Sequence, residues 1–242
     1  PNAPRLLAAE AASGIDLVLI RESTEGLFYS AAVHGRSVIH GDTGVDETLR
    51  ITRATSEKLH RFAFRLTEKR KSRGKPGRLT CVDKANVFTS MALFRSIFDE
   101  VAAGFPGVAH DYCYVDAMAL ELVRRPWEYD VMVTENMFGD ILSDLTAGLV
   151  GGMGIASCAE IGDHHGLFQP AHGSAPDIMG QDRANPLATI LSGALLLEYL
   201  AERLGDNRYA DAAMVIEAAV EQGFTDGELR PMEFGGTMGT DA

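Results

Sequence analysis

Four short apolar runs, 15–21 (IDLVLIR), 79–83 (LTCVD), 109–115 (AHDYCYV) and 129–135 (YDVMVTE), alternate with stretches whose apolar residues recur every three or four positions. That order predicts an α/β fold with a largely parallel core sheet and helices on both faces. Parallel strands need a long crossover, and an amphipathic helix supplies it. Helices are expected over 45–71, 87–103, 117–124, 136–150, 186–204 and 209–222. In the first, Leu59, Phe62, Ala63 and Leu66 keep helical spacing, and Gly74, Pro76 and Gly77 end it. The stretch 30–44 (SAAVHGRSVIHGDTG) fits neither a core strand nor a helix and is expected to form an extended arm or hairpin.

With 242 residues and 46% hydrophobic content, the chain can bury a core for one large or two small domains. A net charge of −12 argues against a nucleic acid or an anionic membrane as its partner. The basic cluster Lys69, Arg70, Lys71, Arg73, Lys75 and Arg78 reads instead as cations at a helix C-terminus, where the macrodipole favours them. Cys81, Cys113 and Cys158 are odd in number, lie in apolar runs and form no CxxC pair, the pattern of packed, reduced thiols in a cytoplasmic protein. The apolar run 187–200 is too short and too interrupted to span a bilayer and is expected to be a buried or subunit-facing helix. Pro1 in place of Met, with no amphipathic lead, reads as an interior cut.

The segment 136–145, NMFGDILSDL, sets Asp140 and Asp144 four residues apart. On a helix they share one face, one turn apart, and can converge on a single cation. Phe138, Ile141, Leu142, Leu145 and Leu149 fill the remaining surface, so the helix is expected to be buried with the acids at the edge of the core. Asp116 follows a strand and is open to two readings, a third metal ligand or an N-cap. Three carboxylates without a thiolate or histidine pattern suit Mg²⁺ or Mn²⁺. Lys84, just after LTCVD, reads either as an acid–base group or as a partner of Asp83; Arg21 reads either as a carboxylate clamp or as a structural partner of Glu22 or Glu25. The loop 172–185, HGSAPDIMGQDRAN, has small residues that let a ligand approach the backbone, with Asn185 as N-cap and Pro186 in the first helical position. Neither GxGxxG nor a Walker sequence occurs.

RESTEG (21–26), DKANV (83–87), YVDAMA (114–119), NMFGDILSDL (136–145), HGSAPDI (172–178), ANP (184–186) and FGGTMGT (234–240), in this order, resemble the isocitrate/isopropylmalate dehydrogenase family of metal-dependent β-decarboxylating dehydrogenases. The resemblance is strongest to its 3-isopropylmalate branch, which acts in leucine biosynthesis, although Glu25 in RESTEG is nearer the isocitrate, homoisocitrate and tartrate/malate forms. It implies an isopropylmalate-dehydrogenase-like fold in which a cofactor-binding domain, 1–25 and 126–242, is interrupted by a smaller dimerisation and substrate domain, 26–125, with the arm near 30–44. The family's amino-terminal part has no counterpart before Arg21.

The implied reaction is NAD-dependent oxidation of a 2-hydroxy acid carrying a β-carboxylate, then decarboxylation, in a homodimer with shared sites. Residue by residue, Asp140 and Asp144 look like metal ligands of one subunit and Asp116 like the ligand supplied by the other, with Mg²⁺ or Mn²⁺ as the ion. Lys84 is similar to the lysine that crosses the dimer to move the hydroxyl proton, with Asp116 in support. Asn86 resembles its polar neighbour and Arg21 a substrate clamp. His172, Gly173, Ser174, Ala175, Pro176, Asp177, Ile178 and Asn185 match the loop that holds the adenosine half of the cofactor. Asp177 accepts from a free 2′-hydroxyl and repels a 2′-phosphate, so the loop is NAD-type. One departure stands out: the family's acid-donating tyrosine falls at Phe28, with Tyr29 beside it. The alternative of another class is a non-catalytic regulatory or dimerising subunit that keeps the fold without turnover.

Overall fold

In the computed structural model, residues 14–29 and 37–242 are described. The chain forms two compact units that part between Thr146 and Ala147.

In the first unit, β1 (Val18–Arg21), β4 (Arg78–Asp83), β5 (Ala109–Tyr114) and β6 (Val131–Thr134) make one sheet in the order β1-β6-β4-β5. Every pairing in it is parallel, as the apolar runs predict. Helices α1 (Arg53–Ser72), α2 (Thr89–Ala102) and α3 (Val115–Arg124) form the crossovers, and α4 (Asn136–Leu149) follows the last strand of the sheet, β6. Leu79, Cys81, Val131 and Val133 share a core with Phe64, Phe94, Ile97 and Phe98 of α1 and α2. Residues of opposite parity, Val82 and Met132, are equally buried on the second face, as are Met118 and Leu122 of α3.

The sheet crosses the domain edges drawn from motif order: β1 and β6, from the flanking segments, enclose one side of β4, from the inserted one. Parallel pairing makes this natural, because each crossover returns a distant segment beside an earlier strand. Helix α1 starts at Arg53, eight residues later than its periodicity suggests, because Val45–Asp46 forms β3 and pairs antiparallel with β2 (Val38–Ile39). The described part of the expected arm is thus a small hairpin, and 30–36 lie outside the described residues. Helix α4 is not buried all round: Phe138 and Leu142 are, but Ile141 is 60% exposed.

The basic cluster closing α1 is tied down inside the unit. Arg70 pairs with Asp16 and with the buried Asp130, Lys75 with Asp16, and Arg78 with Asp111. Lys71 donates to the carbonyl of Gly107.

The second unit holds an antiparallel hairpin, β7 (Ser157–Ile161) and β8 (Gly166–Pro170), against α5 (Leu187–Leu204), which packs on α6 (Asn207–Asp226). The hairpin escapes a periodicity search because its strands are short and its residues are half-buried or exposed without alternation. Gly205, at φ 65°, turns the chain between the two helices, and Asp206 caps α6 by accepting from Arg208 N–H. In α5, Leu187, Ala188, Ser192 and Ala194 are buried. No helix among the described residues is long and apolar enough to cross a membrane. No disulfide joins Cys81, Cys113 or Cys158, and of the three only Cys81 is fully buried.

Candidate active site

The side chains singled out in the first unit gather at one end of the sheet. Arg21 is the last residue of β1, Lys84 follows β4, Asp116 lies just past β5, and α4, with Asp140 and Asp144, follows β6. In a parallel sheet this carboxyl edge is where chain reversals leave a crevice and helix N-termini point, so it is the natural place for an anionic ligand.

Two ion pairs organise the edge. Arg21 Nη1 lies 2.5 Å from Asp140 Oδ1, and Lys84 Nζ bonds to Asp116 Oδ1. The ammonium of Lys84 beside Asp116 holds that carboxyl below its ordinary range. Asp83 is not the partner of Lys84: it is fully buried and takes Arg95 Nε and Nη2 at 2.7 Å each and the N–H of Ala85 at 2.8 Å. Asp116 is not an N-cap either. It sits in the first turn of α3 behind the cap residue Tyr114, where the positive end of the helix dipole favours its charge. Asn86 is exposed in the turn after Lys84.

Arg21 does not pair with Glu22 or Glu25, both of which are buried and engaged with the backbone. Glu22 accepts from the N–H groups of Thr24 and Glu25 at 2.7 Å each. Glu25 accepts from the N–H of Thr52 at 2.8 Å and from the hydroxyls of Thr52 and Thr55 at 2.5 and 3.1 Å, fastening the RESTEG loop to the start of α1. Glu135, also buried, caps the start of α4 by accepting from Phe138 N–H at 2.7 Å and Met137 N–H at 3.1 Å. Burial pushes its carboxyl above the usual range. Gly26, at φ 77°, is required here, since a Cβ would lie 2.8 Å from Glu135 Oε2.

Asp140 and Asp144 share α4 and are both exposed. Asp116 is not brought to them: among the described residues no three His, Cys, Asp or Glu side chains gather as a metal cluster. The pair therefore offers oxygen donors of the right kind for a hard divalent cation, but only part of a coordination shell. Phe28, not Tyr29, stands by Arg21, with the guanidinium 5.6 Å from the ring centroid. Tyr29 is turned to Arg50, whose Nη1 donates to its hydroxyl at 2.7 Å.

In the second unit, residues 172–178 form an exposed loop ending in a 3-10 turn, Pro176–Ile178. His172 Nδ1 lies 2.8 Å from the carbonyl of Gly173. Ala175 adopts φ 43°, a strained left-handed conformation for a side chain other than glycine. Asn185 lies one residue before the cap position, which Pro186 takes, yet its Oδ1 accepts from Leu187 N–H at 3.1 Å. Its Nδ2 donates to Glu233 Oε2 at 2.9 Å, while Glu233 Oε1 accepts from Gly154 N–H at 3.0 Å. Thr240 donates to the carbonyl of Ala184 at 2.6 Å. The FGGTMGT segment and the acid before it thus strap the loop in place.

Arg95, Asn136, Glu135 and Glu233 carry this architecture and are missed by a search for reactive groups. Adjacency marks three of them, since Asn136, Glu135 and Glu233 stand within or beside a motif, whereas Arg95 lies eight residues past DKANV and carries no such signal.

The family model for isocitrate/isopropylmalate dehydrogenases matches residues 2–241. The chain belongs to this family. It is 44% identical over 228 residues to a 3-isopropylmalate/3-methylmalate dehydrogenase of Methanocaldococcus jannaschii, covering 93% of this chain and 64% of that one. It is 45% identical over 193 residues to the homoisocitrate dehydrogenase of the same organism, covering 79% and 52%. Among solved structures, an isocitrate dehydrogenase from Methylococcus capsulatus matches with a TM-score of 0.79 at 39% identity, covering 91% of this chain and 62% of the other. The chain thus spans less than two thirds of the length of these relatives.

Proposed function

We propose that the intact protein is an NAD-dependent, metal-requiring dehydrogenase that oxidatively decarboxylates a 2-hydroxy acid bearing a β-carboxylate, with 3-isopropylmalate as its substrate. The observation that carries this reading is the arrival of Arg21, Lys84, Asp116 and the Asp140/Asp144 helix at one carboxyl edge of the sheet. The name shared by the M. jannaschii relative supports the choice of acid.

Arg21 binds the substrate's carboxylate through its guanidinium fork. Asp140 and Asp144 of one chain, with Asp116 of a second, hold Mg²⁺ or Mn²⁺, and this division accounts for the absence of a three-acid cluster among the described residues of one chain. A cation held by these carboxylates would supply Lewis-acid stabilisation of negative charge developing on the substrate's oxygens. In its neutral amine form Lys84, positioned by Asp116, would take the hydroxyl proton at Nζ, directly or through water, and NAD would supply the hydride acceptor. Residues 172–178 and Asn185 hold the adenosine half of NAD, with Asp177 on the ribose. The segments 1–25 and 126–242 serve the cofactor, and 26–125 the dimer contact and the substrate.

The homoisocitrate relative favours a second reading in which the substrate is homoisocitrate, isocitrate or another malate-type acid. Phe28 beside Arg21 favours a third, a non-catalytic subunit, because no phenol stands there to donate a proton. A substrate panel with NAD and Mn²⁺, run beside calorimetric titration of Mn²⁺ in the presence of each acid, separates them. No turnover of 3-isopropylmalate refutes the first choice, and no Mn²⁺ binding with any acid would leave the non-catalytic subunit.

A further inference from the structure

Arg21 is seated more tightly than a surface clamp requires. Its Nε and Nη2 donate to the same oxygen, Asn136 Oδ1, at 2.9 and 2.8 Å, and its Nη1 donates to Asp140. Of the five N–H groups of a guanidinium, two then remain, one on each terminal nitrogen. The Nε/Nη2 edge is thus taken by Asn136, and each terminal nitrogen keeps one N–H for the oxygens of a carboxylate. Asn136 is itself immobilised. It is 2% exposed, and its Nδ2 donates to the carbonyl of Glu25 at 2.9 Å. A flipped amide would set its NH₂ against the guanidinium and its oxygen against that carbonyl, so the acceptor stays towards Arg21. Glu25 is anchored in turn by its carboxylate bonds to Thr52 and Thr55. One turn beyond Asn136 on the same helix, Gly139 lies against the stem, where a Cβ would come 2.6 Å from Arg21 Cγ.

We infer that Asn136 is a positioning residue that aims Arg21, locking the inner edge of the guanidinium so that its outer edge is presented to the substrate's carboxylate, with Gly139 leaving room for the stem. This rests on the reading of Arg21 as the carboxylate clamp. A preset fork loses less freedom when the anion arrives than a mobile one, so the effect belongs in substrate affinity.

The test is steady-state kinetics of the intact protein with Mn²⁺, NAD and the hydroxy acid that the panel identifies, for Arg21→Ala, Asn136→Ala, Gly139→Ala and the Arg21→Ala/Asn136→Ala double variant. Asn136→Ala and Gly139→Ala are expected to raise KM for the acid by about tenfold while leaving KM for NAD within about twofold, as an effect confined to one ligand requires. The double variant should be no worse than Arg21→Ala alone, because Asn136 acts through Arg21. If Arg21→Ala raises KM for the acid and neither other single variant does, the positioning role is overturned while the clamp stands. If Arg21→Ala leaves KM for the acid unchanged, the clamp itself falls and the inference with it. Should Asn136→Ala fail to fold, Asn136→Ser decides in its place, since it keeps a polar group on the helix but is too short to take both guanidinium nitrogens, and an unchanged KM for the acid then overturns the positioning role.

Discussion

Arg95 grips the buried carboxylate of Asp83 through Nε and Nη2, at 2.7 Å each, and thereby leaves Lys84 free for Asp116. The guanidinium lies 4.7 Å from the ring centroid of Tyr112 and 5.2 Å from that of Tyr114, so the cation is held by aromatic faces as well as by the acid. Replacing Arg95 by Ala strands a charge with no access to water. The expected loss is about 3–5 kcal/mol of stability in urea unfolding, with Arg95→Lys recovering only part because a point charge cannot make the two-pronged contact. A loss under about 1 kcal/mol would mean that Asp83 finds another partner or takes up a proton.

His60 predicts a pH dependence of stability. It is fully buried against Phe94 and Phe98, its Nε2 donates to the carbonyl of Phe94 at 3.1 Å, and Nδ1 has no partner. Burial lowers its pKa to about 4 from an ordinary 6.5. The unfolded chain therefore binds the proton first as pH falls. Stability from this site is complete above pH 6.5 and is lost progressively as pH drops towards 4, by up to about 3 kcal/mol. His60→Phe should flatten that part of the stability curve, measured by urea unfolding between pH 7 and 4. An unchanged slope would sink the assignment.

The sheet was legible in the sequence because its central strands, β4 and β6, are buried on both faces and all four strands are separated by amphipathic crossovers, although the edge strand β5 has no buried residue. The start of α1 was not, since Val45 and Asp46 suit a helix as well as a hairpin and only pairing with Val38 and Ile39 decides. The partners of the charged residues were illegible for a related reason. Nearest neighbours in sequence suggested Lys84 with Asp83 and Arg21 with Glu22 or Glu25. The fold instead buries those acids and satisfies Asp83 with Arg95, 12 residues away, Glu22 with backbone N–H groups two and three residues on, and Glu25 with Thr52, 27 residues away. Reactive groups can be found by type, but burial, which chooses their partners, is a property of the packed chain.

On the proposed placement of the ribose, Asp177 bears on cofactor choice. It stands in the exposed 3-10 turn of the 172–178 loop, where no cation among the described residues pairs with its carboxylate, and Ile178 beside it offers a phosphate no hydrogen bond. Asp177→Lys removes a negative charge and adds a positive one, which should move the ratio of kcat/KM for NADP to that for NAD upward by about tenfold or more. An unchanged ratio would refute the placement of the ribose on this turn.

The proposed sharing of the site between two chains makes a prediction that no single-chain arrangement shares. Asp140 and Asp144 lie on α4, while Asp116 starts α3 in a pair with Lys84, and no third acid joins the first two among the described residues. If a twofold dimer brings Asp116 of one chain to Asp140 of the other, Asp116→Asn and Asp140→Asn are each inactive alone, both folded by thermal melting. Mixing them after partial unfolding and refolding creates heterodimers in which one site draws Asp140 and Asp116 from unmutated positions and the other carries both substitutions. Random pairing makes half the dimers mixed, with one good site in each, so activity should return to about a quarter of the unmutated level. Were both residues needed from the same chain, every site in every dimer would lack one of them, and mixing would restore nothing.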